Sequence, residues 1–464
     1  MHGKQLAIVL GGLVAILALP GCSLDIPDLN NPGLEQLENN PTTASINTAA
    51  TGLLVGDRGG KANTTGLVNQ LGILGRESYD FDSADVRFVS ELIQGNLSKA
   101  SPFGGSFWGG NYANIRLANI ILHGVDKVAG YTDTNRSAIR GYVHTIQALE
   151  LLTVITTHDD TGAVIDTDHP LGEPLGPFVP KAAVYTEIAR LLDQGQTELA
   201  AGGTAFTFPL SPGYTGFNTP PNFIKVNRAI RARVAVFQKD YPTALAALGM
   251  SFLNDNPATL DLKAGVFHVY SLSAGDATNG LINPAIFAHP KLQTDAQKQA
   301  DGMTVDARYT AKIDPLKNPV AAGSDASLKT GIKFKIYTNI APVPLIRNEE
   351  LILLKAEALY YTNDQAGALA ELNIVRTKSG NLPALTGFAD EAAFVDALLY
   401  ERRYSLMFEG GHRWIDLRRF GRLTPDLLDS TAHVLNRRFP VPQAECDARP
   451  GEKACTINSS DPVN

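Results

Sequence analysis

Tyr400–Arg419 reads YERRYSLMFEGGHRWIDLRR. Arg, His, Glu and Asp alternate there with Tyr, Leu, Met, Phe, Trp and Ile. A solvated helix would not carry so many large apolar side chains, and a plain core helix would not carry so many charges. A buried ionic network satisfies both: each guanidinium fork meets a carboxylate or carbonyl, and aromatic rings cover its faces. Glu401 with Arg413, or Glu409 with Arg403, are candidate pairs, and the sequence leaves the pairing open. Gly410-Gly411 interrupts the run and predicts a turn between two helices. A catalytic reading would make Glu401, Glu409 and Asp416 acid–base carboxylates and His412 a proton carrier. Neighbouring Arg would lower the carboxyl pKa values where a general acid needs them raised, so the stretch reads as a structural joint that clamps two helices.

Outward from that joint the chain reads as paired helices. Ala232–Leu248 (ARVAVFQKDYPTALAAL) aligns without gaps to Ala356–Leu372 (AEALYYTNDQAGALAEL), 124 residues later. Each copy is helix, polar turn, helix, with Asp364 placed to cap one second helix and Pro242 in the first turn of the other. This is the logic of a tetratricopeptide-type helix pair, which buries its apolar face against its neighbours. Helical spacing also marks Thr42–Gly56, more weakly Gly59–Gly75, then Trp108–Leu122, Ile139–Leu152 and Val184–Leu199. The fourth of these ends in β-branched residues (TVITT), which predicts a weak end. Leu262–Ile340 has no such spacing. It is rich in Gly, Asn, Asp and Pro with short β-like runs, Val266–Tyr270 and Ile332–Tyr337. The fold class is mostly α, a scaffold of helix pairs carrying an irregular loop-rich lobe.

Charged residues make 19% and hydrophobic ones 44% of the 464, the composition of a globular chain. The 42 Gly and 27 Pro exceed the average share of roughly 12%, which argues for long loops. A net charge of −7 without a basic block speaks against nucleic acid as a partner. Lys4 precedes an apolar run, Leu6–Leu19, too short for a comfortable membrane span. It ends in Leu19-Pro20-Gly21-Cys22, which looks like a bacterial lipobox. Residues 1–21 therefore read as a lipoprotein signal peptide, Cys22 as the lipidated residue and 22–41 as a tether. Cys446 and Cys455 then remain as a pair in a polar tail, and an even remainder in an exported chain reads as a disulfide.

Two loops carry rings. Tyr79–Gly110 holds Tyr79, Phe81, Phe103 and Phe107 with Arg87, and Phe206–Phe223 holds Tyr214 and Phe217. A sugar ring has an apolar C–H face edged by hydroxyls, which a flat side chain and a nearby polar group match. These seven residues are the candidate ligand contacts, the first loop ranked above the second. His158, Asp159, Asp160, Asp166, Asp168 and His169 form a candidate calcium loop; carboxylates in a Gly/Pro loop are more simply solvated, so neither metal nor cofactor is expected. There is no GxGxxG, P-loop, HExxH, CxxC or Gly-x-Ser-x-Gly pattern, and no enzyme is expected. The competing classes are a glycoside hydrolase with a carboxylate pair and a repeat scaffold that binds only protein.

The opening stretch resembles the C-terminal signature of the SusD/RagB family of outer-membrane nutrient-binding lipoproteins, roughly E-R-R-x-E-L-x-F-E-G-x-R-x-x-D-L-R. Glu401, Arg402, Arg403, Leu406, Phe408, Glu409, Gly410, Arg413, Asp416, Leu417 and Arg418 fit it. Ser405 stands where an acid is usual, so one ion pair is expected to be missing, and Gly411 lengthens the turn. Arg347, Glu350, Leu353, Ala356, Glu357 and Ala358 match R-x2-E-x2-L-x2-A-E-A. Leu372, Asn373, Arg376 and Gly380 match L-N-x2-R-x3-G, and Phe439-Pro440-Val441-Pro442 with Glu445 matches F-P-I-P-x2-E. Trp108, Tyr112, Ile115, Ala118 and Asn119 match the family's W-x3-Y-x2-I-x2-A-N helix. The likeness is strong over Arg347–Glu445, thin before Trp108 and absent in the loops. It implies one SusD-like domain over 42–464, with the lobe at about 262–340. It also implies a lipid-anchored outer-membrane protein, placed at the cell surface, that delivers an oligosaccharide, or alternatively a peptide, to a SusC-like TonB-dependent transporter.

Overall fold

The computed structural model describes residues 34–170 and 173–463. The signal segment, Cys22 and residues 22–33 of the expected tether lie outside them. Within 34–41, Leu34–Asn39 is a helix, Leu37 is buried, and Lys127 Nζ donates to Glu38 O at 2.7 Å.

Among the described residues, sixteen α-helices and four two-stranded antiparallel ribbons make the chain mostly α. Thr42 opens the helix Thr43–Arg58 with a reciprocal capping box to Ser45. Asp133–His158 runs through the β-branched TVITT that was expected to weaken it. The reason is local. Thr153, Thr156 and Thr157 donate their hydroxyls to carbonyls four residues back, at 3.2, 2.6 and 2.7 Å, so these side chains are satisfied inside the helix. Lys181–Ala200 crosses it closely, and a Cβ built on Gly141 would lie 2.7 Å from Gly195 O.

The internal repeat forms two helix pairs, Pro220–Gln238 with Tyr241–Gly249 and Asn348–Tyr361 with Gln365–Lys378. Asp240 and Asp364 cap the second helices, accepting from Thr243 N at 3.3 Å and Gly367 N at 2.8 Å. One buried fork ties the pairs together: Arg233 meets both oxygens of Glu350, at 2.7 and 2.6 Å. Burial alone would raise the Glu350 carboxyl; the surrounding positive groups, Arg233 foremost, more than reverse this and hold it at about 2.

The opening stretch forms the helices Glu391–Ser405 and His412–Arg419 around a tight turn. Gly411 sits at φ 72°, and a Cβ there would lie 2.4 Å from Leu71 Cβ, so the second glycine is required by the approach of Leu71. The ionic network is present, but neither candidate pair forms. Glu401 takes Arg308 at 2.6 Å and Arg376 at 2.8 Å. Glu409 takes Arg347 at 2.9 Å and Lys312 at 3.4 Å. Arg403 takes Asp295 at 2.6 Å, and among the described residues Arg413 reaches only the carbonyl of Gly75, at 2.9 Å. Inside the stretch, Arg402 and Asp416 pair at 2.6 Å. Ser405 does the work of a smaller bridge: its hydroxyl accepts from Arg308 at 3.0 Å and donates to Glu349 at 2.7 Å.

The lobe is stitched to the scaffold by strands. Gly265–His268 pairs with Val343–Arg347, and Ile286–Ala288 pairs with Ser78–Asp80 far upstream. Ile313–Ala322 and Asp325–Phe334 form a hairpin within the lobe. Cys446 and Cys455 are disulfide-bonded with their Cα atoms 5.6 Å apart.

Replacing Glu401 by Ala removes the carboxylate that Arg308 and Arg376 share and leaves the buried Arg376 without an acid, and the expected loss is about 3–5 kcal/mol, read from urea denaturation of the variant and the parent. The double change Cys446→Ser, Cys455→Ser opens a short loop and is expected to lower stability by about 2–3 kcal/mol in the same assay.

A candidate ligand-binding cleft

The seven candidate contacts do not converge. Tyr79, Phe103 and Tyr214 are 1%, 1% and 2% exposed; the first two rings pack the core, and Tyr214 lies in the wall of a cleft. Phe107 is half-buried and meets Phe439 edge-on at 5.0 Å. Phe217 lies against Phe252 at 5.0 Å, away from the first loop. Arg87 is tied to Asp85 at 2.7 Å and lies over the Phe103 ring. Phe81 keeps a half-buried ring, stacked on Tyr79 at 5.2 Å and beside Phe287 at 5.5 Å on the ribbon Ser78–Asp80/Ile286–Ala288.

A cleft of about 680 Å³ opens elsewhere, within the usual range for a small-molecule site. One wall is the ring-bearing second loop, Pro209–Tyr214; the other is the strand end Phe267–Ser271, with the last turn of Thr43–Arg58 between them. The walls meet because Gly213 lies on the strand: a Cβ there would be 1.9 Å from Phe267 O. Phe267 is half-buried, and Tyr270 is 8% exposed with its ring edge in the wall. Arg58 spans the mouth. It lies 5.6 Å from the Tyr270 ring centroid, donates to Val269 O at 2.8 Å and pairs with Asp276 at 2.7 Å. Hydrogen bonds from Ser271 and Arg58 hold the Asp276 carboxyl down to about 2. Flat rings beside an ionised donor–acceptor pair are suited to a ligand with apolar faces and hydroxyl edges. Of this set only Tyr214 was named from the sequence. The run Val266–Tyr270 was visible as a β-like stretch, but nothing in it distinguished a cleft wall from a core strand.

Beneath the cleft lies a polar floor. Asp57, Lys61, Glu150 and His268 are all nearly enclosed, and His268 also lines an inner cavity of about 100 Å³. Lys61 and Asp57 are 3.4 Å apart, and Asn111 and Asn114 donate to Glu150 at 2.5 Å each. The hydroxyls of Tyr214 and Tyr270 are buried with no hydrogen-bond partner among the described residues. Burial, then the nearby Asp57 charge, pushes Glu150 up to about 7. Burial pushes His268 down to about 4 despite Asp57. The candidate calcium loop is spent on other pairs: Asp159 on Arg418 at 3.4 Å and on Lys181, Asp166 on His169 at 2.9 Å, and Asp168 on His123 at 2.9 Å. Among the described residues no group of three or more His, Cys, Asp or Glu could hold a metal.

Residues 299–454 match the SusD family. No curated protein matches the chain in sequence. Among solved structures, a SusD-like carbohydrate-binding protein from Bacteroides fragilis superposes with a TM-score of 0.66 at 16% identity, over 90% of this chain and 100% of its own. Surface glycan-binding protein A from Bacteroides uniformis gives 0.63 at 18%, over 90% and 99%. A laminarin-binding SusD-like protein gives 0.59 at 18%, over 87% and 99%. The fold of this chain is that of these SusD-like structures, and residues 299–454 carry sequence of the SusD family.

The floor makes stability depend on pH. Glu150 has a folded pKa raised to about 7 from an ordinary 4.5, so the folded state binds a proton that the unfolded chain has released. Its stabilising effect is full below about 4.5 and is lost as pH rises through about 7. Glu150→Gln cannot titrate, so the fall in stability between those limits should shrink by about 3 kcal/mol. Urea midpoints at several pH values check this; an unchanged slope would show that Glu150 is ionised in the fold.

Proposed function

We propose that this protein is a lipid-anchored, non-catalytic glycan-binding protein of the outer membrane, facing outward, that hands oligosaccharide to a SusC-like TonB-dependent transporter. The observation that carries the binding role is the cleft of about 680 Å³ with Phe267 and Tyr270 beside the Arg58–Asp276 pair. The names of the carbohydrate-, laminarin- and glycan-binding structures of the same fold support sugar as the ligand class. Binding without cleavage is supported by the carboxylates of the signature, each fastened to a cation. Among the described residues no helix is long and apolar enough to cross a membrane, and the Cys22 lipid is the proposed attachment. Residues 42–464 are proposed to act as one domain.

A second surface has its own support. Phe81 and Phe287 stand side by side, half-buried and tilted by 37°, at the ribbon Ser78–Asp80/Ile286–Ala288, a pair of rings for a longer chain.

The assay is retention on immobilised neutral glycans, with products analysed. Intact oligosaccharide should be retained. Tyr270→Ala and Arg58→Ala should each weaken binding at least tenfold, at melting temperatures that report an intact fold; the buried Tyr270 ring makes some loss of stability expected in the first. A loss confined to Phe81→Ala would move the site to the ribbon. Released products would make the protein a hydrolase, and retention of peptides alone would replace the ligand class. Cys22→Ser should free the protein from membrane fractions, because several acyl chains hold far better than one, at about 0.8 kcal/mol per buried CH₂; a variant that still sediments with membrane would overturn the anchor.

A further inference from the structure

A separate pocket of about 460 Å³ opens at the joint, far in sequence from the cleft walls. Three arginines line it: Arg403, Arg413 and Arg422. The Arg403 side chain is 6% exposed. Its Nη1 is taken by Asp295 at 2.6 Å, but its Nε and Nη2 have no hydrogen-bond partner among the described residues. Arg413 donates its Nε to Gly75 O at 2.9 Å, and among the described residues it has no carboxylate at ion-pair distance. Arg403 and Arg413 thus line one pocket with fewer acceptors than donors, the two unpartnered Arg403 nitrogens lying enclosed behind its surface. A buried donor left unmade is costly, and a buried charge more so.

The surrounding charges do not make up the shortfall. Asp396 lines the pocket but pairs with Arg422 at 3.1 Å, and Asp426 holds the hydroxyl of Thr424. Lys312 is occupied by Glu409. Glu77 lies buried within the field of both arginines, and burial pushes its carboxyl up to about 7, so near neutrality it is only partly ionised. Burial, then Arg403, pulls Arg413 down to about 9, the mark of a cation wanting a counter-charge. The other lining is apolar or aromatic: Leu399, Leu417, Leu427 and the Tyr400 ring. Guanidinium forks match the two oxygens of a carboxylate or sulfate, while leucines and a tyrosine match the carbon skeleton that carries it.

We propose that this pocket is a second ligand site that takes the oxyanion of an acidic sugar, a uronic-acid carboxylate or a sugar sulfate, on Arg403 and Arg413. The anion part stands on the arginines; the sugar part rests on the glycan reading of the protein. The test is calorimetric titration of the full chain with glucuronate, glucose 6-sulfate, glucose and inorganic sulfate. One or both acidic sugars should bind at least tenfold more tightly than glucose and than bare sulfate; which one does separates carboxylate from sulfate. Arg413→Gln should weaken that binding at least tenfold at a melting temperature that reports an intact fold. Arg422→Gln, whose parent side chain is 44% exposed, should weaken it severalfold and is the arm that remains if Arg413→Gln does not fold. Tyr270→Ala in the cleft should leave it unchanged. The proposal is overturned if acidic sugars bind no better than glucose or sulfate, if the folded arginine variants keep parental affinity, or if Tyr270→Ala abolishes the binding. Loss of neutral-glycan retention with acidic-sugar binding intact would count against the cleft alone.

Discussion

Glu401 is the constraint on which the rest of the structure hangs. It lies fully buried, and its two oxygens accept from arginines of different provenance: Arg308 from the lobe and Arg376 from the second helix of the repeat. A buried carboxylate with one partner would be unfavourable, because desolvation outweighs a single attraction. With two forks it becomes a rivet, and both arginines are fastened further. Arg308 also takes both oxygens of Asp306, at 3.0 and 2.6 Å, and Arg376 donates to Pro383 O at 2.6 Å. The lobe therefore does not rest loosely on the scaffold. Its position relative to the helix pairs is set by charges that tolerate little sliding, and the cleft wall on Gly265–His268 inherits that precision through its pairing with Val343–Arg347, next to the Arg347–Glu409 bridge.

That arrangement explains which parts of the molecule were legible in the sequence. The helix pairs were, because periodicity and caps are local: Asp364 and Pro242 act within their own turns. That the joint would be ionic was also legible, because mixing charges with large apolar residues leaves few other solutions. Partner identity was not. Arg308, Arg376, Arg347 and Asp295 all come from outside the twenty residues of the joint, and no spacing rule connects them. The β-branched end of Asp133–His158 was misjudged for a related reason. Propensity scales price a threonine for an exposed helix, and here the hydroxyls are satisfied by the preceding turn inside the core.

The candidate ligand site was the least legible part. Aromatic residues in a Gly/Pro loop attract attention as binding groups, yet a loop of that length must bury rings to be ordered at all, since backbone entropy is lost residue by residue. Tyr79, Phe88 and Phe103 supply that burial. What is left for a ligand is the remainder, Phe81 on one ribbon and the strand end Phe267–Tyr270 on another. In sequence the rings that serve packing and those that face a cleft look the same. Only the neighbours separate them: Arg58 with Asp276 on one side, and core leucines on the other.

The unpaired arginine nitrogens belong to the same logic. The joint does not satisfy every guanidinium fork, and its deficits fall both inside it and at its rim. Arg402, deep in the joint, is held through Nε by Asp416 and leaves Nη1 and Nη2 unpartnered among the described residues; it lines none of the clefts described above, so its deficit is internal to the joint. Arg403, one residue on, leaves Nε and Nη2 unpartnered among the described residues and lines a pocket with leucine and tyrosine walls. Adjacent arginines of one helix thus end in different surroundings because a helix turns its side chains by about 100° per residue. The signature that locks the fold also sets cations at its own rim, and the pocket there is a consequence of how the lock is made.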